Sequence, residues 1–337
     1  MFTRRALLLG SAAAIAVKPL AALAKRSGSG LSFKLFDAHA HLKSDDLQRY
    51  PRAPMAPPAA GPAPPQPTSE TPEVVRVLRW MDQSGVAGGA AVQHRGTYGY
   101  DNRYILDSTD QYRERLVPVV VLNAEDPKTP DTVRQMIKDH ALAGVRLTGM
   151  RAADGGFPWL SSAPAQDTWA AVNEAGLVMD LMALPPGSSP EAMSEYQRLA
   201  QRYPQARLVL DHCAWPNAEG PPDYGLDARH RELAKHGNIY YKFTTVNLEA
   251  LRVARLPAVD ALRHIVAVYG ADHVLWGSDI GNSAGLYGEM VSRMVDASQG
   301  LRARERRQVL HDTGRAVFVG GGSRKRDVAA THQSSEG

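Results

Sequence analysis

Eight short apolar runs, separated by segments of helical periodicity, constrain the fold of this chain more than any single motif does. The runs are Phe33 to Phe36, Gly89 to Gln93, Leu116 to Leu122, Gly144 to Leu147, Leu177 to Leu181, Ala206 to Leu210, Ile239 to Phe243 and His273 to Gly277. They are rich in Val, Leu and Ile and do not alternate apolar with polar, as expected of strands buried on both faces of a parallel sheet. Helical patterns are predicted at Glu73 to Gln83, Asn102 to Tyr112, Thr129 to Ala141, Ala165 to Glu174, Pro190 to Arg202, Leu226 to Lys235 and Val259 to Tyr269. Eight such repeats in about 290 residues predict an α/β architecture, the (β/α)8 TIM barrel. An open doubly wound sheet is the alternative, but no Gly-rich phosphate turn follows the first strand.

In a barrel of this kind, active sites lie at the C-terminal ends of the strands. His39 and His41 close the first strand, Gln93 the second, and Arg146 lies near the end of the fourth. His212 closes the sixth, Lys242 lies within the seventh, and Asp279 follows the eighth. Strand periodicity places Asp37, His39 and His41 on one face. Two imidazoles on such a face can grip a divalent cation or a substrate oxyanion.

The first 24 residues read as an export signal. Thr3-Arg4-Arg5 precedes the uncharged apolar stretch Ala6 to Val17, and Ala22-Leu23-Ala24 supplies small residues for cleavage. The paired arginines point to the twin-arginine export machinery as a partner and to a periplasmic location. The apolar core is short against the roughly 20 residues of a spanning helix, so no stable membrane anchor is expected. Without this segment the formal charge falls from +4 to about +1, and nothing indicates a nucleic-acid footprint. Cys213 is the sole cysteine, so no internal disulfide can form and a core must supply the stability. One barrel domain is expected over residues 25–320, with a Pro-rich loop at 51–72 and a disordered tail at 321–337.

The residues at these strand ends resemble the amidohydrolase superfamily, and within it the branch of 2-pyrone-4,6-dicarboxylate lactonase and the sugar lactonases. The matching pieces begin with Asp37-Ala38-His39-Ala40-His41, Arg49-Tyr50-Pro51, Val92-Gln93 followed by Tyr98-Gly99-Tyr100-Asp101-Asn102, and Gly144-Val145-Arg146-Leu147. They continue with Leu208-Val209-Leu210-Asp211-His212, Asn238-Ile239-Tyr240-Tyr241-Lys242 and Val274-Leu275-Trp276-Gly277-Ser278-Asp279, in order from about residue 33 to 318. The resemblance implies a TIM barrel of the metal-dependent-hydrolase type. Three departures stand out. Asp180-Leu181-Met182-Ala183-Leu184 carries no imidazole, Ile280-Gly281 replaces the Trp-Pro common after the strand 8 Asp, and Thr313-Gly314-Arg315 stands where Asn is common.

Opening a lactone or amide requires an activated water, a polarised carbonyl and a proton for the leaving atom. Asp279 is the candidate base, and His39, His41 and His212 are the candidates to polarise the carbonyl directly or through a metal. One divalent ion, zinc or manganese, held by His39, His41 and Asp279 would retain an open position. A metal-free mechanism fits the same residues, and the resemblance implies one for the 2-pyrone-dicarboxylate lactonases. Arg146, assisted by Arg151, is the candidate clamp for a substrate carboxylate, the alternative being a buried ion pair with Asp180 or another acid. Gln93, Tyr50, Tyr98 and Asn102 are candidate substrate contacts. Lys242 reads equally as structural, Asp211 as a strut for His212, and Cys213 as pointing away from the site. His94, His140, His230, His236, His264 and His311 read as surface or packing residues. The expected substrate is a small molecule, a lactone with a carboxylate or several hydroxyls. The alternatives are metal-dependent decarboxylation of an unsaturated or aromatic acid, and an inactive barrel that binds small carboxylates.

Overall fold

The computed structural model describes residues 31–54, 70–183 and 190–320. The expected export signal, most of the expected Pro-rich loop and the expected tail lie outside the described residues. Eight strands form one parallel sheet in chain order: β1 (Leu35–Ala40), β2 (Val86–Val92), β3 (Leu116–Val121), β4 (Gly144–Gly149), β5 (Val178–Ala183), β6 (Arg207–Leu210), β7 (Ile239–Thr244) and β8 (Val274–Gly277). Backbone bonds from Asp279 N to the His39 carbonyl (2.8 Å) and from His41 N to the Ile280 carbonyl (3.0 Å) join the end of β8 to β1. The result is a TIM barrel.

Strand side chains divide between two cores. Phe36, Ala38, Ala90, Val92, Val117, Val119, Val178, Val209 and Leu275 fill the barrel, which Val317 and Phe318 of the last helix (Thr313–Phe318) plug near the strand starts. The second core lies between the strands and the surrounding helices. The helix Val74–Gln83 contributes Val74, Val77, Leu78 and Met81, and the helix Ala258–Tyr269 contributes Ala261, Leu262, Ile265, Val266 and Tyr269. Both sets recur at three- and four-residue spacing, the apolar stripe of a helix packed on one face. Burying such a side chain stabilises the fold by about 1.5–3 kcal/mol. Among the described residues, no helix is long and apolar enough to cross a membrane.

The expected strands are all present, with shifted ends. β1 begins at Leu35 and continues to Ala40 instead of stopping at Phe36, and β2 begins at Val86. Helices at Thr245–Val253 and Tyr287–Ala297 add to the expected set, and the one predicted at Leu226 to Lys235 contracts to Ala228–Leu233.

Candidate active site

One expectation fails at β1. Asp37 does not share a face with His39 and His41. Asp37 pairs with Gly89 and Ala40 with Ala91, so β1 advances three residues where β2 advances two. This bulge redirects the side chains around it. Asp37 Oδ1 accepts from the backbone N of His39 (3.0 Å) and of Ser278 (2.8 Å), and Oδ2 accepts from Tyr287 Oη (3.0 Å). The carboxylate therefore ties β1 to the turn after β8, while both imidazoles enter the barrel mouth. Gly277 makes room for them: a Cβ there would lie 2.4 Å from the Cβ of His39. Gly277→Ala is expected to cost about 1–3 kcal/mol and to displace His39. Thermal melts together with turnover check this, and a variant that matches the parent in both refutes the packing argument.

His39, His41 and Asp279 converge. His39 Nε2 lies 3.2 Å from His41 Nε2 and 3.5 Å from Asp279 Oδ1, and His41 Nε2 lies 3.3 Å from the same oxygen. All three residues are buried. His41 Nδ1 donates to the Val92 carbonyl (2.8 Å), which leaves a lone pair on Nε2 toward the cluster. Asp279 Oδ2 accepts from Ser283 Oγ (2.7 Å) and Asn282 Nδ2 (2.9 Å), whereas the buried Oδ1 has no hydrogen-bond donor. Burial works against the Asp279 carboxylate, but the imidazoles of His41, His212 and His39 gathered around it outweigh burial and hold its pKa well below the usual range. Asp279 adopts the left-handed backbone region (φ 58°), which aims the side chain back across the mouth.

These residues fit a divalent cation. With bonds of about 2.1 Å, neighbouring ligand atoms stand about 3.0–3.4 Å apart, close to the spacings observed. A carboxylate oxygen without a donor faces the site. The remaining nitrogen of each imidazole has an oxygen partner, Val92 O for His41 and Asp211 Oδ1 (3.2 Å) for His39, which is how histidine ligands are usually oriented.

Below this cluster lies a buried charged tier. Asp211 Oδ2 meets Arg146 Nη2 at 2.7 Å, and Oδ1 meets Lys242 Nζ at 3.0 Å. Lys242 also donates to Asp180 Oδ2 (2.7 Å) and lies 3.1 Å from His39 Nδ1. Burial, and then the Asp211 carboxylate, raise the pKa of Asp180; for Asp211, Arg146 and Lys242 overcome burial and lower it. His212 stands beside the cluster, its ring centroid 5.5 Å from that of His39 and its Nδ1 2.7 Å from Thr244 Oγ1. It opens a run of four left-handed residues, His212 to Trp215 (φ 52–60°), a conformation that costs about 1–2 kcal/mol per residue. Asn247 Nδ2 holds this turn through the His212 carbonyl (2.9 Å), and Cys213 Sγ reaches the Lys242 carbonyl (3.4 Å). Burial pushes the Cys213 thiol up, so it is a packing group.

The sequence-predicted binding residues divide. Arg146 reaches the tier, where its partner is Asp211 and its buried Nε has no hydrogen-bond partner. Gln93 closes β2 but spends its Nε2 on the carbonyls of Gly99 (2.9 Å) and Asp101 (3.0 Å). Tyr98 Oη accepts from Ser44 N (2.7 Å) and Arg52 Nη1 (2.5 Å). Asn102 bonds both the N–H (2.8 Å) and the carbonyl (2.9 Å) of Val121. Tyr50 donates to Asp107 (2.6 Å), and Arg151 lies on the exposed surface near Glu191 (3.5 Å). These contacts brace loops. His94, expected as a surface or packing residue, instead stands at the mouth with its ring 4.8 Å from His41 and its Nε2 3.3 Å from Asn282 Oδ1. Burial first, then His41 and Lys43, with a smaller contribution from Arg146, lower its pKa to about 3. Its place directly after the strand-end Gln93 was the available signal.

The family model of the amidohydrolases (Amidohydro_2) matches residues 36–319. The chain belongs to the amidohydrolase family. It is therefore an enzyme, a hydrolase of the superfamily that the strand-end residues resembled. An L-fucono-1,5-lactonase from Burkholderia ambifaria is 26% identical over 214 residues, covering 62% of this chain and 70% of the relative. Among solved structures, a proposed 2-pyrone-4,6-dicarboxylic acid hydrolase from Pseudomonas putida superposes with a TM-score of 0.63 at 24% identity, over 86% of this chain and 98% of the other. A zinc-bound amidohydrolase from Burkholderia multivorans gives a TM-score of 0.63 at 19% identity, over 85% and 99%. Both structural likenesses concern the barrel fold.

Proposed function

We propose that this amidohydrolase opens a lactone bearing a carboxylate or several hydroxyls, with Asp279 as the general base. The observation that carries the reading is the buried Asp279 Oδ1, which has no hydrogen-bond donor and faces His39 and His41 at the barrel mouth. A lowered pKa keeps Asp279 ionised at neutral pH and ready to accept a proton. In the reaction it takes a proton from the attacking water as the new C–O bond forms. It then returns that proton to the ring oxygen as the ester bond breaks. Asn282 and Ser283 hold the other carboxylate oxygen and so fix its aim. His212, held neutral by burial, lies close enough to the cluster to polarise the carbonyl.

A divalent ion held by His39, His41 and Asp279, zinc or manganese, would supply Lewis acidity toward the carbonyl and lower the pKa of the water. The similarity to a zinc-bound barrel supports this choice. Lys43 brings a positive charge toward His94 at the mouth, which favours an anionic substrate.

The test is a panel of sugar lactones and pyrone carboxylates assayed with metal-replete protein, before and after chelation. Lactone opening that falls at least about 100-fold on chelation and returns with zinc or manganese supports the metal-assisted reading. Opening that is indifferent to chelation removes the metal and leaves Asp279 with the histidines. Release of CO2 from an unsaturated or aromatic acid, with no lactone opened, would replace hydrolysis by decarboxylation.

A further inference from the structure

A second group of metal-ligand-type side chains lies below the first. His39 Nδ1, a carboxylate oxygen of Asp180 and one of Asp211 lie within 4.8 Å of one another, all buried, and His39 belongs to this group and to the upper cluster alike. In metal chemistry, two carboxylates and an imidazole nitrogen are a ligand set suited to zinc or manganese. The space between them is filled by the protein itself. Lys242 Nζ lies 2.7 Å from Asp180 Oδ2, 3.0 Å from Asp211 Oδ1 and 3.1 Å from His39 Nδ1, with no solvent exposure. Asp180 Oδ1 is buried beside it without a hydrogen-bond partner among the described residues, so the carboxylate has unspent capacity on this side.

We propose that the Lys242 ammonium is a built-in cation occupying the lower of two cation positions, which restricts the protein to one divalent ion at His39, His41 and Asp279. The charge count supports this. Arg146 and Lys242 balance Asp180 and Asp211, so a divalent ion added to the tier would leave two positive charges unpaired in the barrel interior. An ammonium cannot leave as a hydrated ion does, because the Lys242 side chain is anchored in β7, and its Nζ lies over the Phe318 ring at 5.2 Å. The arrangement also governs His39. A neutral Nδ1 can donate to Asp211 or accept from Lys242, but not both, and only the first leaves the Nε2 lone pair for the upper cluster. Lys242 is a positioning residue: it acts on His39 and the carboxylates and touches no substrate.

The inference rests on the metal reading only for the count at the upper position, and the test separates the two. Purified full-length protein and Lys242→Ala are stripped by chelation and titrated with zinc and with manganese. Bound metal is counted by elemental analysis, and Tm is recorded with and without metal. The parent is expected to bind at most one equivalent. Lys242→Ala is expected to bind one equivalent more than the parent and to gain at least about 5 °C in Tm from metal beyond any gain in the parent. Adding Asp180→Asn should abolish that extra equivalent. A parent that binds none while Lys242→Ala binds one supports the lower site and discards the upper one. Two equivalents in the parent, or an equal count in parent and folded Lys242→Ala, overturn the inference. If the Ala variant does not fold even with metal, Lys242→Met, which keeps most of the apolar stem but not the ammonium, takes its place under the same criteria.

Discussion

Asp279→Asn is expected to lower kcat for lactone opening by at least about 1,000-fold, with the fold intact. The amide has the shape of the carboxylate but a different hydrogen-bond inventory. Asn282 Nδ2 and Ser283 Oγ both donate to one oxygen of Asp279, so the new side chain will turn its carbonyl oxygen to them. Its NH2 group then replaces Oδ1 and faces the Nε2 atoms of His39 and His41, 3.5 and 3.3 Å from that position. A proton acceptor becomes a donor, and a cation held there would lose one of its three ligands. Bound metal should therefore fall together with turnover. Turnover within about tenfold of the parent, at equal metal content, would remove Asp279 from the chemistry.

The barrel was legible because a buried parallel strand has a local signature. Leu116–Val121 and Ile239–Thr244 stand out as β-branched and aromatic runs whatever they pack against. The convergence of His39, His41, His212 and Asp279 was legible for a related reason: the fold brings strand ends together, so polar residues placed there must meet. The bulge at Asp37 was not. Strand periodicity assumes an unbroken register, and the extra residue of β1 is visible only against its partner β2. The loop residues pose a different problem. Gln93, Tyr98 and Asn102 carry the polarity expected of substrate contacts, yet much of it, Gln93 Oε1 excepted, is engaged with backbone groups of Gly99, Ser44 and Val121. Composition does not distinguish a side chain that serves a ligand from one that serves its own backbone. Lys242 and Asp180 lie 62 residues apart, and only the folded barrel shows them paired.

That pairing makes Asp211 the residue whose loss should be felt most in stability. It contacts three groups, Arg146 at 2.7 Å, Lys242 at 3.0 Å and His39 at 3.2 Å, all without appreciable solvent exposure. Asp211→Ala leaves two buried cations facing the single carboxylate of Asp180, whose own pKa burial already raises. Removing one partner of a buried ionic network costs about 3–5 kcal/mol, because the remaining charges cannot recover their hydration. For a domain of this size the loss corresponds to a fall in Tm of roughly 10 °C. The cost should shrink when a cation is removed as well. Arg146→Met in the Asp211→Ala background is therefore expected to restore part of the lost stability, whereas Arg146→Met alone destabilises the parent. Additive losses in the double variant, or an Asp211→Ala protein melting within about 2 °C of the parent, would show that the tier is not an energetically coupled network. Metal affinity at the upper cluster should fall in every Asp211 variant. Without that carboxylate His39 Nδ1 keeps only Lys242 as a partner, and an imidazole that accepts at Nδ1 carries its proton on the nitrogen the cluster needs free.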